Sequence, residues 1–129
     1  MFTWKTTIRL YDTDAAGRIF FASLLRIAHD AFEAFMSDIG QPITRFLRGD
    51  EGHLVIVHAE ADYRHPINCG DALDVLVGVG RVGNTSFVMS YQFHRNGEEV
   101  GTARTVHVAL DKDGAKRAIP DDLRRALAK

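Results

Sequence analysis

Phe21–Gly40 reads FASLLRIAHDAFEAFMSDIG, and the fold turns on how this stretch is disposed. Leu25, Ala28, Phe32, Phe35, Met36 and Ile39 recur at spacings of three and four, which puts them on one stripe of a helix from about Phe21 to Ile39. Gly40, Gln41 and Pro42 supply the stop. At about 1.5 Å per residue the helix is roughly 28 Å long, enough to cross a small sheet from end to end. It is the one long helical pattern in the chain, and its apolar stripe needs a partner.

The flanking sequence supplies that partner as strands. Upstream, Thr3–Tyr11 alternates, with Trp4, Thr6, Ile8 and Leu10 on one side and Lys5, Thr7 and Arg9 on the other. Downstream, after a loop with Gly49, Asp50, Glu51 and Gly52, four further runs read as strands: Leu54–Arg64, Ala72–Val82, Thr85–Arg95 and Gly101–Leu110. They are divided by Pro66 and Gly70-Asp71, by Gly83-Asn84, and by Asn96-Gly97, the strongest short-range hairpin signal. Pro120–Lys129 reads as a short terminal helix with Asp121 and Asp122 in its first turn. The expected class is α+β, a five-stranded antiparallel sheet curled around one central helix in a single domain spanning residues 1–129. A single curled sheet leaves an edge exposed, and a homodimer joining two sheets edge to edge is the natural remedy.

Composition narrows the function. The chain of 129 residues is 46% hydrophobic and 26% charged, ordinary globular proportions that exclude disorder and fibrous classes. Sixteen Lys plus Arg against seventeen Asp plus Glu give a net charge of −1, which leaves no electrostatic footprint for nucleic acid. Charges interrupt every apolar stretch before the roughly 18 residues of a membrane span, and Met1–Lys5 lacks a secretory apolar core, so a cytoplasmic protein is expected. The single Cys69 has no partner for an internal disulfide and reads as a turn or small buried residue.

Two motifs have duller explanations. Gly78, Gly80 and Gly83 spell a dinucleotide fingerprint, yet the residues that follow, Asn84 to Val88, are a β run with no helix N-terminus to receive a pyrophosphate. These glycines read as twist and turn positions. His53, His58 and His65 are separated by odd spacings in or near one strand, which puts neighbours on opposite faces, so no metal site is expected.

The chemically informative stretch is Asp12-Thr13-Asp14-Ala15-Ala16-Gly17, joined to the helix start at Phe20 and Phe21. Aspartates make turns and helix caps as a matter of routine. Here, however, Asp14 is followed by two alanines and a glycine, a bare loop that lets a substrate approach the backbone. The unpaired N–H groups at a helix start can receive a developing oxyanion. A carboxylate opposite such donors is an acyl-transfer device.

The run Tyr11-Asp-Thr-Asp-Ala-Ala-Gly17-Arg-Ile-Phe-Phe-Ala22, the helix after it, and Tyr63-x-x-Pro66-x-x-x-Gly70-Asp71-x-Leu73 resemble the hotdog-fold acyl-CoA thioesterases of the 4-hydroxybenzoyl-CoA thioesterase class over nearly the whole chain. The resemblance implies a five-stranded sheet wrapped on a central helix, dimers that often pair into tetramers, and thioester hydrolysis without metal or a cofactor beyond the coenzyme A of the substrate. It makes Asp14 the catalytic carboxylate and the Phe21 backbone N–H the oxyanion donor, with Gly17 shaping the approach. His29-Asp-Ala-Phe-Glu33, Val57-His58-Ala59 and Cys69-Gly70-Asp71 are most similar to the branch that hydrolyses 1,4-dihydroxy-2-naphthoyl-CoA.

Two departures stand out. Phe20-Phe21-Ala22 stands where the Tol-Pal-associated branch carries Tyr-His-Ala, and Gly83, Asn84 and Thr85 stand before Ser86-Phe87 where the hydroxybenzoyl branch places basic residues for the coenzyme A phosphates. Arg81 and Arg104 are the candidates to replace those phosphate contacts, alongside Ser86 and Phe20 as substrate-binding residues. His29 corresponds to a position at which the hydroxybenzoyl branch uses an Asp to contact the ring hydroxyl; it either makes that bond or sits in the dimer interface.

The expected function is hydrolysis of an aromatic acyl-CoA by a homodimer or homotetramer, with Asp14 as nucleophile or general base. Two alternatives remain at this stage. A hydratase or dehydratase of the same fold would need His29 paired with Asp30 or Glu33, and a noncatalytic acyl-CoA sensor would have little use for Asp14 and Gly17.

Overall fold

The computed structural model describes residues 1–48 and 50–129; Gly49, read above as part of a loop, lies outside the described residues. Five strands, β1 (Phe2–Thr7), β2 (His53–Tyr63), β3 (Ala72–Val82), β4 (Ser86–Arg95) and β5 (Glu98–Leu110), form one sheet in the order β1-β3-β4-β5-β2. Every neighbouring pair is antiparallel. The long helix α1 (Ser23–Asp38) lies across the concave face, and a short helix α2 (Asp121–Leu127) closes the chain. This is the wrapped-helix, or hotdog, arrangement expected from the apolar stripe.

Packing explains the helix. Leu24, Ile27, Ala28, Ala31, Phe32, Phe35 and Met36 are buried, and they share one core with Val75, Val77, Phe87, Met89, Tyr91 and Phe93 of the sheet. Ala28 and Ala31 let the helix axis approach the strands, while each fully buried large side chain contributes roughly 1.5 to 3 kcal/mol. The helix stops where the Gly40 and Gln41 N–H groups turn back to the Ser37 and Met36 carbonyls at 3.1 and 2.8 Å.

Strand ends shift by one residue at β2 and β4, and β5 begins three residues early, at Glu98; the following differences from the sequence reading have local reasons. β1 ends at Thr7 because Ile8 turns into the core and exchanges backbone hydrogen bonds of 2.8 Å with Gly70 and Asp71. Leu10–Asp12 then forms a 3-10 turn, which leaves Leu10 76% exposed instead of on the inner face. α1 begins at Ser23, two residues after Phe21, so Phe20 and Phe21 belong to the approach to the helix. The Gly78–Gly83 stretch is indeed strand and turn, with a register shift between Val79 and Val82.

The two sheet edges differ. β1 carries Lys5, paired with Asp74 at 2.9 Å, whereas β2 pairs with β5 alone and exposes Ile56 and Val57 (60%). Among the described residues no helix is long and apolar enough to cross a membrane.

Candidate active site

The connection from β1 to α1 is held in shape by its first aspartate. Asp12 is only 2% exposed; its carboxylate accepts the Arg9 N–H at 2.8 Å and forms an ion pair with Arg26 in the first turns of α1. Its carbonyl accepts the Phe20 N–H at 2.8 Å, closing the loop that carries the second aspartate. Thr13 bridges Ile19, and the Gly17 carbonyl and Ile19 N–H bond Cys69 and Ile67, so the β2–β3 connection supports the loop from behind.

Asp14 stands at the tip of this loop, exposed. Its Oδ1 accepts the Ala16 N–H at 2.8 Å and the Arg18 N–H at 3.3 Å, while Oδ2 has no partner among the described residues. One oxygen fixes the carboxylate plane and the other is free for chemistry. Gly17 makes this possible at φ +76°, a conformation that side chains disfavour, with its N–H on the Asp14 carbonyl at 3.1 Å.

Seven residues on, the Phe21 and Ala22 N–H groups have no acceptor among the described residues. The neighbouring carbonyls are engaged: Ser23 N–H bonds the Phe20 carbonyl at 2.8 Å, and the Tyr63 hydroxyl at the end of β2 donates to the Phe21 carbonyl. In a trans peptide the N–H points away from the preceding carbonyl, so these contacts orient the free donors. Phe21 is 71% exposed and Phe20 lies against it, ring centroids 4.7 Å apart.

His29 is exposed two turns along α1. Its ring stacks on Phe32 (5.9 Å), which stacks on His107 (4.2 Å), which lies nearly parallel to Phe87 (5.1 Å). His107, 1% exposed, is the buried end of a polar chain: its Nε2 is 2.8 Å from the Thr105 hydroxyl, itself 3.0 Å from the Tyr91 hydroxyl. Burial, and secondarily the charge of His29, push the His107 imidazole down to about 4; burial pushes the Tyr91 hydroxyl up to about 12 against the opposing bond to Thr105. His107 is therefore neutral at pH 7.

Arg81 and Ser86 come together elsewhere. With Gly83, Asn84, Thr85, Val88, Arg104 and Val106 they line a cleft of about 480 Å³ whose walls include none of Asp14, Gly17, Phe20, Phe21 and His29. The predicted residues thus fall into two groups, one on the β1–α1 connection and α1, the other at the β3–β4 turn. The three histidines of the β2 region diverge: His53 bonds the Phe46 carbonyl at 3.1 Å, His58 meets Glu60 at 2.9 Å, and His65 meets Glu98 at 3.9 Å.

Sequence reasoning missed Arg26 and the Tyr91–Thr105–His107 chain, and it picked out Tyr63 as part of a motif without its contact to the Phe21 carbonyl. Arg26 carries one local signal, its spacing of four from Asp30, with which it also pairs at 2.7 Å. The chain spans two strands and has no signal at the level of spacing.

Residues 8–127 match the family model of the thioesterase-like superfamily. A 1,4-dihydroxy-2-naphthoyl-CoA hydrolase of Synechococcus elongatus is 37% identical over 125 residues, covering 95% of this chain and 91% of the relative. The crystal structure of a 1,4-dihydroxy-2-naphthoyl-CoA thioesterase from Synechocystis superimposes with a TM-score of 0.93 at 26% identity, covering 99% of this chain and 96% of that one. A gentisyl-coenzyme A thioesterase shares the fold, with a TM-score of 0.88 at 22% identity over 97% of this chain and 98% of that one.

Proposed function

The chain belongs to the thioesterase-like superfamily and is a thioester hydrolase, and from that premise we propose that it hydrolyses a hydroxyaryl acyl-CoA to the free acid and coenzyme A, with Asp14 as nucleophile or general base. The observation that carries this reading is the Asp14 carboxylate itself, tethered through Oδ1 and open at Oδ2. In the nucleophilic route Oδ2 attacks the thioester carbonyl, the C–S bond breaks, the thiolate leaves and takes a proton, and water hydrolyses the resulting anhydride. In the general-base route Oδ2 takes a proton from the water that attacks. Both place a developing oxyanion where the Phe21 N–H can receive it, a contact worth roughly 3 to 4 kcal/mol in comparable acyl-transfer sites. The thioester is electrophilic enough for one carboxylate and one donor to serve without a metal or further cofactor.

Support for the acyl group comes from two sides. The Synechococcus and Synechocystis relatives act on a hydroxylated bicyclic ring, and His29 can bond such a hydroxyl from α1. Arg81 and Ser86 are assigned to the far end of the substrate. The exposed Leu10, Tyr11, Phe21 and Tyr63 around the site, and the apolar edge of β2, support a homodimer, or a pair of dimers, in which a second copy completes the pocket. A cytoplasmic enzyme fits a coenzyme A thioester as substrate. The deciding measurement is thiol release from a panel of acyl-CoA esters by the parent and by Asp14→Asn: turnover by the parent and its loss in the variant are expected, and equal turnover overturns the mechanism.

A further inference from the structure

The peptide between Phe21 and Ala22 is held from outside the helix it introduces. Phe21 and Ala22 are the central residues of a turn that the Ser23 N–H closes on the Phe20 carbonyl at 2.8 Å, and that bond settles the Phe20–Phe21 peptide. The next carbonyl has no partner in its own segment. The α1 ladder begins one residue later, where the Ala22 carbonyl accepts the Arg26 N–H at 3.4 Å, so among the described residues the Phe21 carbonyl bonds only the Tyr63 hydroxyl. In a trans peptide the Ala22 N–H points away from that carbonyl, and the hydroxyl therefore sets its direction.

Packing brings the two together. Tyr63 ends β2 opposite Gly101 of β5, where an added Cβ would lie 3.3 Å from the Leu24 side chain. The missing side chain lets the first turn of α1 settle onto the end of the strand, within reach of the Tyr63 hydroxyl. Beyond Tyr63 the Arg64 and His65 N–H groups both bond the Val100 carbonyl, at 2.9 and 3.2 Å, which anchors the strand end. The Tyr63 ring is 44% exposed and borders a cleft of about 290 Å³ with Arg18 and Ile19 of the loop that carries Asp14. It is a wall beside that loop, outside the core.

We propose that Tyr63 is a positioning residue: it fixes the Phe21–Ala22 peptide so that the Ala22 N–H serves beside the Phe21 N–H as a second donor to the oxyanion. The proposal rests on the thioester-hydrolysis reading above. A donor held in place before the charge develops needs no reorganisation when the carbonyl becomes tetrahedral, whereas a peptide free to rotate loses that advantage. The effect therefore falls on the chemical step and leaves substrate binding alone.

Steady-state kinetics on 4-hydroxybenzoyl-CoA test it, with Tyr63→Phe and with a semisynthetic form in which an ester replaces the Ala22 amide, removing that N–H and keeping the side chain. For Tyr63→Phe, kcat is expected to fall about tenfold with KM within about twofold of the parent and an unchanged urea midpoint. The ester form is expected to lose at least about tenfold in kcat. Adding Tyr63→Phe to the ester form should then change kcat by less than about twofold, since no N–H is left to aim. A raised KM with the parent kcat makes Tyr63 a binding residue and overturns the proposal, as does a full additional loss in the combined form. Parent kcat in the ester form overturns Ala22 as a donor, and this form keeps Tyr63, so the outcome stands even if the phenylalanine variant does not fold. Parent kcat in Tyr63→Phe, with turnover lost in Asp14→Asn, overturns the proposal and leaves the hydrolase reading intact. No hydrolysis of any acyl-CoA ester by the parent removes both.

Discussion

The buried Asp12 carboxylate is ion-paired with Arg26 on α1, two residues before an aspartate that faces solvent. The pair ties the loop to the helix, and the Asp12 oxygen on the Arg9 N–H ties it to the end of β1. Because Arg26 is half exposed, the pair is partly screened, but removing the charge of Asp12 weakens both contacts at once. Asp12→Asn is expected to lose about 1 to 3 kcal/mol in urea unfolding, with kcat near the parent value at temperatures where the variant is folded. Loss of kcat without loss of stability would transfer the chemical role to Asp12.

Asp14→Asn should behave in the opposite way. The asparagine oxygen keeps the bonds from the Ala16 and Arg18 N–H groups, and the amide nitrogen replaces the free Oδ2. Stability within about 0.5 kcal/mol of the parent is expected, as for other exposed substitutions, with kcat lower by at least about a hundredfold. Rapid-quench or thiol-release kinetics on the purified variant check it.

The contrast between these aspartates marks how far sequence reaches. The period of three and four in α1 and the period of two in the strands are read directly, because burial of one face imposes them. The Asp12-to-Gly17 pattern located the loop, and Gly17 its turn. What spacing did not reveal is which aspartate would be buried, since that depends on Arg26 arriving from α1 fourteen residues away. His107 is harder still. It alternates with Thr105 on β5 like any inward strand residue, and only the register that sets it against Phe87, and the helix that brings Phe32, give it its environment.

His107 gives the fold a pH dependence of definite sign. Its imidazole is pushed from 6.5 to about 4 by burial first and by His29 second; Tyr91 and Thr105, the polar groups that meet it from the sheet, are uncharged. Between these values the unfolded chain binds a proton that the folded chain does not, so stability falls as pH drops from about 6.5 to about 4 and is unaffected by this group above that window. The full loss is about 3 kcal/mol. Urea unfolding at a series of pH values should show this slope in the parent, and a flatter one in His107→Phe, whose ring fits between Phe32 and Phe87 but cannot titrate. An unchanged slope in the variant would remove His107 as its source.

The expectation of a dimer or tetramer rests on the β2 edge. Unpaired backbone groups beside Ile56 and Val57 form a template for a second strand, and the aromatic surface around Phe21 remains uncovered in one chain. A dimeric or tetrameric mass by light scattering at micromolar concentration is expected, and Val57→Lys should shift it toward the monomer with loss of activity. A monomeric and active parent would show that one chain makes the whole site.

The expected substrate preference turns on the proposed role of His29. If the acyl ring carries a hydroxyl, a partner is needed once the pocket is closed, because an unpaired buried hydroxyl costs about 1 to 3 kcal/mol. His29 offers a ring nitrogen from α1, and its stack on Phe32, which rests in turn on His107, restricts the directions it can point. A site that bonds a hydroxyl discriminates against an analogue lacking it far more than an apolar slot discriminates between chain lengths. Hydroxyaryl-CoA is therefore expected to be preferred over both unsubstituted aryl-CoA and medium-chain aliphatic CoA. His29→Ala should erode the first preference more than it lowers turnover of the unsubstituted ring, since the thioester and Asp14 are untouched. The comparison is made as kcat/KM ratios for parent and variant on the same three esters. Equal values for octanoyl-CoA and hydroxyaryl-CoA in the parent would end the aromatic assignment while leaving the proposal for Asp14 standing.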